Sequence, residues 1–195
     1  IKDLIDNSEG LILLTGSFDG LIGKLFFKNL TDEVLEILKN FKKSFNNDFY
    51  LEIQRHNDEG EKNFEQFLLN TANNFNLPII ATQEVFYLNK EMHEAHDAYL
   101  CVGEKTYVNA KDRRKYSDQH YLKSSEDMFK LFGDLPDALE NNKNFPFKVS
   151  YRPKNSLPIL PYIKTEKSSD IDKILIEESK VGLKNKLKQY IYPYT

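Results

Sequence analysis

NDFYLEIQRHNDEGEKNFEQFLLNTANNFNLPIIATQEVFYLNKEMHEAHDAYLCV, residues 47–102, decides the fold class. Phe49 to Ile53 is a short strand-forming run with partial alternation. Behind it, Phe64, Phe67, Leu68, Thr71, Ala72 and Phe75 fall at the i, i+3, i+4, i+7 spacing of one helical stripe. Asn76-Leu77-Pro78 stops that helix, because proline cannot continue the backbone ladder. Ile79 to Thr82 reads as a buried strand, and Glu91 to Val102 as a further helix. Strand, helix, strand, helix predicts parallel strands joined by right-handed crossovers. In such layouts chemistry is built just past the carboxyl ends of the strands. Arg55 and His56 after one strand, with Gln83 and Glu84 after the next, therefore form the candidate strand-end polar site.

Working outward, Leu11 to Leu14 is a further apolar strand ended by Thr15-Gly16. Ile1 to Ile5 and the stretch opening at Thr31-Asp32-Glu33 read as helices, the second with Val34, Leu35, Leu38, Phe41 and Phe45 on one face. Gly103 to Ser117 is a polar loop. Short helices are expected around Ser124 to Phe132 and Leu135 to Asn142. Pro146, Pro153, Pro158 and Pro161 then make Phe145 to Pro161 an extended, wrapped linker. A final helix from about Ser169 to Tyr190 places Ile171, Ile174, Leu175, Leu183, Leu187 and Ile191 near one face. The alternation gives α/β; three such units do not separate an open sheet from part of a barrel.

Composition sets outer bounds. The 195 residues are 40% hydrophobic, 13% aromatic and 29% charged, which is a globular balance. A net charge of -3 offers no global attraction to nucleic acid or membrane. Cys101 is the single cysteine, so no internal disulfide framework exists, in keeping with a reducing cytoplasm. No apolar run approaches the ~20 residues of a membrane span. Opening on Ile1, already in a helical pattern, the chain reads as a fragment of something longer.

The titratable constellations allow bland and functional readings. His93 and His96, three apart on a helix beside Glu94 and Asp97, suit a metal only with further ligands; simple packing explains them as well. His56 either serves a site or hydrogen-bonds a loop. His120, after the capping-type Ser117-Asp118-Gln119, is expected at the surface. Lys105, Lys111, Arg113, Arg114 and Lys115, interleaved with Tyr107 and Tyr116, suit a nucleic-acid backbone, but a solvated loop uses the same letters. Glycine-rich phosphate loops, nucleophile elbows and paired cysteines are absent from the sequence.

Five ordered segments carry a resemblance. EGLILLTGSFDGLIGK (Glu9 to Lys24), FYLEIQRH (Phe49 to His56), LPIIATQEVFYL (Leu77 to Leu88), HEAHDAYLCVGEK (His93 to Lys105) and YLKSSEDMFKLFGDLPDALENN (Tyr121 to Asn142) resemble the alpha-subunit family of the bacterial replicase, DNA polymerase III. They correspond to the later part of its polymerase-and-histidinol-phosphatase (PHP) domain. The resemblance implies the carboxyl-terminal part of a distorted, TIM-like β/α barrel over residues 1–155, then a proline-rich linker and helix over 156–195 leading toward the polymerase core.

Intact members bind metals at the strand ends. The family's Ser-Gly-Cys turn is Thr15-Gly16-Ser17 here, and its Asp-x-His pair is Glu84-Val85-Phe86. Glutamate retains a donor, whereas a hydroxyl for a thiolate and phenylalanine for imidazole weaken any transition-metal site. The resemblance thus implies degenerate positions Ser17, Glu84 and Phe86, with no metal, no cofactor and no catalytic residue in this stretch. Nucleotidyl transfer with magnesium would belong to the palm domain of the longer protein. That parent would be a cytoplasmic DNA-directed DNA polymerase. Its partners would be DNA, the proofreading exonuclease and the sliding clamp, with no membrane contact. The alternatives are a free-standing metal-dependent phosphoesterase of PHP type and a direct DNA-binding module.

Overall fold

The computed structural model describes residues 1–159 and 171–191. The chain divides into two compact units, Ile1–Tyr151 and Arg152–Thr195. In the first, three strands, β1 (Leu13–Leu14), β2 (Phe49–Gln54) and β3 (Ile79–Thr82), form a sheet in the order β1-β2-β3. Both pairings are parallel, Leu13 opposite Phe49 and Leu51 opposite Ile79. Parallel pairing puts the three carboxyl ends at one end of the sheet.

β2 is central and buried along almost its whole length, so Phe49, Leu51 and Ile53 anchor the core. Helix α3 (Thr31–Phe45) lays Val34, Leu38, Phe41 and Phe45 into that core, and Phe41 meets Phe49 edge-on with ring centroids 5.8 Å apart. Helix α4 (Glu61–Phe75) buries Phe64, Leu68 and Ala72, the predicted stripe. It ends where Asn76 turns left-handed, φ 48°, and donates its N–H to the Ala72 carbonyl, with Pro78 just beyond. Helices α1 (Lys2–Asp6), α2 (Leu21–Phe27), α5 (His93–Glu104), α6 (Ser125–Leu131) and α7 (Pro136–Lys148) complete this unit. Ser124 and Asp127 start α6 with a reciprocal capping box, and Pro136 sits in the first turn of α7.

Some expectations need correction. Only the second half of Leu11 to Leu14 is strand, because the Leu11 N–H is taken by the Ser8 carbonyl in a turn. Helix α2 went unseen: Gly20 and Gly23 hid its start, yet Gly23 is required, since a Cβ there would lie 2.0 Å from the Phe18 carbonyl oxygen. Phe145 to Lys148 are the end of α7 rather than extended linker. Pro146 is tolerated because, so near the carboxyl end, it removes a single helical hydrogen bond. Residues 151–159 do lack regular structure. Pro161 and Ser169 lie outside the described residues.

The outer edge of β3 is covered by two amides. Asn142 accepts from the Ala81 N–H at 3.1 Å and donates to its carbonyl at 2.6 Å, while Asn141 donates to the Ile79 carbonyl at 2.8 Å. Side chains of α7 thus satisfy backbone groups that another strand would otherwise pair. In the second unit, α8 (Ile171–Tyr190) carries no buried residue.

Candidate functional site at the strand ends

Glu52 is the one acid within β2, and its bonds explain its burial. One carboxylate oxygen accepts from the Gly16 N–H at 2.9 Å; the other accepts from Gln54 Nε2 at 3.0 Å and from the Thr82 hydroxyl. The Glu52 N–H donates to Thr15 Oγ1 at 2.9 Å. A single side chain therefore ties all three strand ends, and both its oxygens are hydrogen-bonded. Gln54 Oε1 is, among the described residues, the one buried side-chain polar atom without a partner; Gln54, Ser17 and Glu61 line the same narrow gap.

Beyond this layer stand two stacked imidazoles. His56 and His120 are each 1% exposed, with ring centroids 4.1 Å apart and planes 3° from parallel. Glu61, first residue of α4, turns back over its own loop and accepts from the backbone N–H of His56 at 2.7 and 2.9 Å and of Asn57 at 2.8 Å. Its anion also meets the positive end of the helix. His56 Nε2 accepts from the Glu84 N–H at 3.0 Å, so the neutral ring carries its proton on Nδ1, which faces Glu61 at 3.4 Å. His120 presents Nε2 to Asp58 and Nδ1 to the Glu84 carbonyl, both at 3.2 Å. The Ser117 hydroxyl donates to the His56 carbonyl. The loops after β2 and β3 and the Ser117–His120 turn between α5 and α6 are thereby fastened at one point.

Donor atoms of His56, Asp58 and His120 lie within 4.8 Å of one another, close enough to suggest a metal. The ring geometry argues otherwise. Imidazole lone pairs lie in the ring plane, so in parallel stacked rings they run side by side and do not converge on one ion. One His56 nitrogen is, moreover, already taken by Glu84. Ser17, Glu84 and Phe86 fit a metal no better. Ser17 offers only a hydroxyl, and the Glu84 carboxylate is half-exposed. Phe86 is wedged between the rings of Tyr116 at 4.4 Å, His120 at 5.1 Å and His96 at 5.3 Å. Its hydrocarbon ring offers no donor atom.

The other predicted residues are engaged structurally. Arg55 turns to the protein's own elements: both guanidinium edges are bidentate, to Glu65 (2.5 and 3.0 Å) and to Asp134 (2.7 and 2.8 Å). It also donates to the Leu131 carbonyl at 2.6 Å and lies over the Phe132 ring at 5.0 Å. These two carboxylates push its pKa up. Gln83 accepts from the Lys123 N–H at 3.2 Å. Lys123 is buried over the Tyr121 ring, and burial pushes its ammonium pKa down.

Two surface readings are overturned. His120 is in the core of the site, because the local turn motif carries no information about docking against distant strand ends. Arg113 is not solvated: its side chain is 4% exposed, bidentate to Asp97 at 2.6 Å, and held by the Val108 carbonyl. Arg114 pairs with Glu104 at 2.9 Å. The basic loop is thus partly neutralised and pinned to α5. His93 and His96 pack, the first donating to the Tyr116 carbonyl at 3.0 Å. Glu52, Asp58 and Glu61 were missed by sequence reasoning. An acid inside an apolar strand and one opening a helix just past a strand-end loop were the available signals.

His120 resists a proton. Burial, then the facing His56 ring, hold the His120 imidazole below its ordinary value near 6.5, outweighing Asp58 and the Glu84 carbonyl. Burial, then His93, act the same way on His96. Unfolded, both rings take up protons as pH falls through about 6.5, whereas the folded chain resists. Stability is therefore full above that pH and declines below it. Asp97, held low by Arg113, and Asp134, held low by Arg55, act in a separate window: their contribution is present above the ordinary value near 3.8 and lost below it. Melting temperature is expected to be level above about pH 7 and to fall between about 6.5 and 5. His120→Gln should flatten that slope, and an unchanged slope would refute the assignment.

Comparison with known proteins gives the site its context. The chain is 34% identical over 182 residues to the DNA polymerase III subunit alpha of Rickettsia bellii, covering 93% of this chain and 15% of that protein. For the Caulobacter vibrioides subunit the figures are 33% over 183 residues, 94% and 16%. The Haemophilus influenzae subunit is 32% identical over 191 residues, 97% and 16%. No protein-family profile matches the chain. The chain is homologous, along nearly its whole length, to one segment of the DNA polymerase III alpha subunit, and spans about 15% of the curated relatives it matches.

Proposed function

We propose that this chain is the later part of the PHP barrel of a replicative DNA polymerase alpha subunit. In this reading it acts as a non-catalytic scaffold and partner-docking region, with residues 1–155 in the barrel and 156–195 leading toward the polymerase core. The observation that carries the scaffold reading is Phe86, packed among three aromatic rings where a metal ligand stands in intact members. Template-directed synthesis with magnesium, and contacts with DNA, the sliding clamp and the proofreading exonuclease, are assigned to the longer cytoplasmic protein. The latch of His56 and His120 supplies rigidity at the strand ends rather than chemistry, because neither ring is open to a substrate.

The test has two arms. Primer extension by the product of the full reading frame is expected to depend on magnesium. The purified chain, after dialysis, is expected to hold only substoichiometric zinc or manganese and to leave p-nitrophenyl phosphate intact when manganese is added. One tightly held ion per chain, lost on Glu84→Ala, or manganese-dependent hydrolysis, would favour the phosphoesterase alternative.

A further inference from the structure

Helix α5 turns most of its apolar surface outward; Cys101 is its one buried residue. From Met92 at its cap, Ala95, His96, Tyr99, Val102 and Gly103 continue the i, i+3, i+4, i+7 spacing of a single helical face. Tyr99 and Val102 are each 76% exposed. Beside this stripe runs the segment after β3, where Val85 and Leu88 are exposed too, Leu88 at 69%. Helix and segment enclose an open cleft of about 420 Å³, walled by Val85, Leu88, Met92, Ala95, His96 and Tyr99. An apolar cleft of that size is the form of a recognition site. Alanine and glycine along the stripe let another backbone approach closely, and a Cβ at Gly103 would meet nothing within 4 Å.

The exposed charges beside the cleft are mainly acidic. Glu84, Glu91 and Glu94 flank it and are exposed; Glu91 and Glu94 make no ion pair among the described residues. Of the nearby cations, Lys90 is held by Asp118 at 2.8 Å, and Arg114, whose charge reaches His96, by Glu104 at 2.9 Å. We infer that this cleft docks an amphipathic helix of a partner protein, its apolar face laid along Met92 to Val102 and its flanks bearing lysine or arginine. Helix-in-groove docking uses this spacing of anchors, and the acidic rim selects the sign of the flanks. The inference rests on the docking role proposed above and names the surface and the chemistry of its occupant.

The test uses the whole chain and two labelled helical peptides with the same leucine stripe, one flanked by lysine and one by glutamate. Fluorescence anisotropy at low salt is expected to show the lysine peptide bound about tenfold more tightly. Ala95→Arg, at an exposed position, should weaken that binding about tenfold or more by filling the cleft. Glu91→Lys with Glu94→Lys should erase the preference between peptides while leaving leucine-dependent binding in place. Equal affinity for both peptides, or binding indifferent to Ala95→Arg, overturns the inference. So does concentration-dependent self-association abolished by Ala95→Arg, which would make a second copy the occupant. Exonuclease binding by the full-length protein, measured separately, reports on the docking role itself. If it persists in the Ala95→Arg protein, the role stands and only this surface is wrong.

Discussion

Arg55→Ala is expected to cost about 3 kcal/mol of stability, the scale for removing one partner of a desolvated ionic network. That should lower the melting temperature by roughly 6–12 °C in a chain of this size. The Arg55 side chain is 19% exposed and closes β2 onto α4 through Glu65, onto the end of α6 through the Leu131 carbonyl and onto the α6–α7 turn through Asp134. Truncation leaves Glu65 half-buried without its counter-charge, while the exposed Asp134 rehydrates. Arg55→Lys keeps the charge but not the paired fork, so it should recover only part of the loss. Thermal melts of the three proteins decide it. A loss below about 1 kcal/mol, typical of an exposed ion pair, would show the clamp to be ornamental.

Glu61→Ala should do comparable damage by a different route. Two backbone N–H groups, of His56 and Asn57, lose their acceptor, and so does the His56 ring proton. Leaving buried donors unpaired costs about 1–3 kcal/mol apiece, so roughly 2–4 kcal/mol is expected in total once the loop relaxes toward water. Glu61→Gln retains one acceptor oxygen and should lie midway between alanine and the native protein. The readout is the denaturant midpoint together with the imidazole proton resonances, which should lose their separate environments in the alanine variant. If the midpoint falls but the imidazole signals stay fixed, Glu61 serves only as a helix cap and the latch does not depend on it.

Periodicity made the central strands and the long helices legible. Phe49 to Ile53, Ile79 to Thr82 and the stripe of α4 needed only local pattern, because each buries a continuous apolar face. The parallel pairing followed from the alternation of elements. What escaped notice depends on distant partners. His120 shows a turn motif locally, yet its burial comes from Asp58 and Glu84, 62 and 36 residues away. Arg113 sits in a basic run, yet Asp97 takes it out of solvent. Of the predicted strand-end residues, His56 and Glu84 meet directly. Arg55 and Gln83 turn to neighbouring elements, which no spacing along the chain reveals.

The amides of Asn141 and Asn142 give the sheet a direction of growth. On the β3 side the backbone of Ile79 and Ala81 is already spoken for, so a newcomer there must first evict two side chains. On the β1 side, Leu13 and Leu14 pair with β2 alone among the described residues. Any additional strand is thus steered to one flank. A strand joining there in parallel would bring its own last residues alongside Thr15, Gly16 and Ser17, so the end of the sheet nearest Ser17 is where a neighbour's side chains would be gathered.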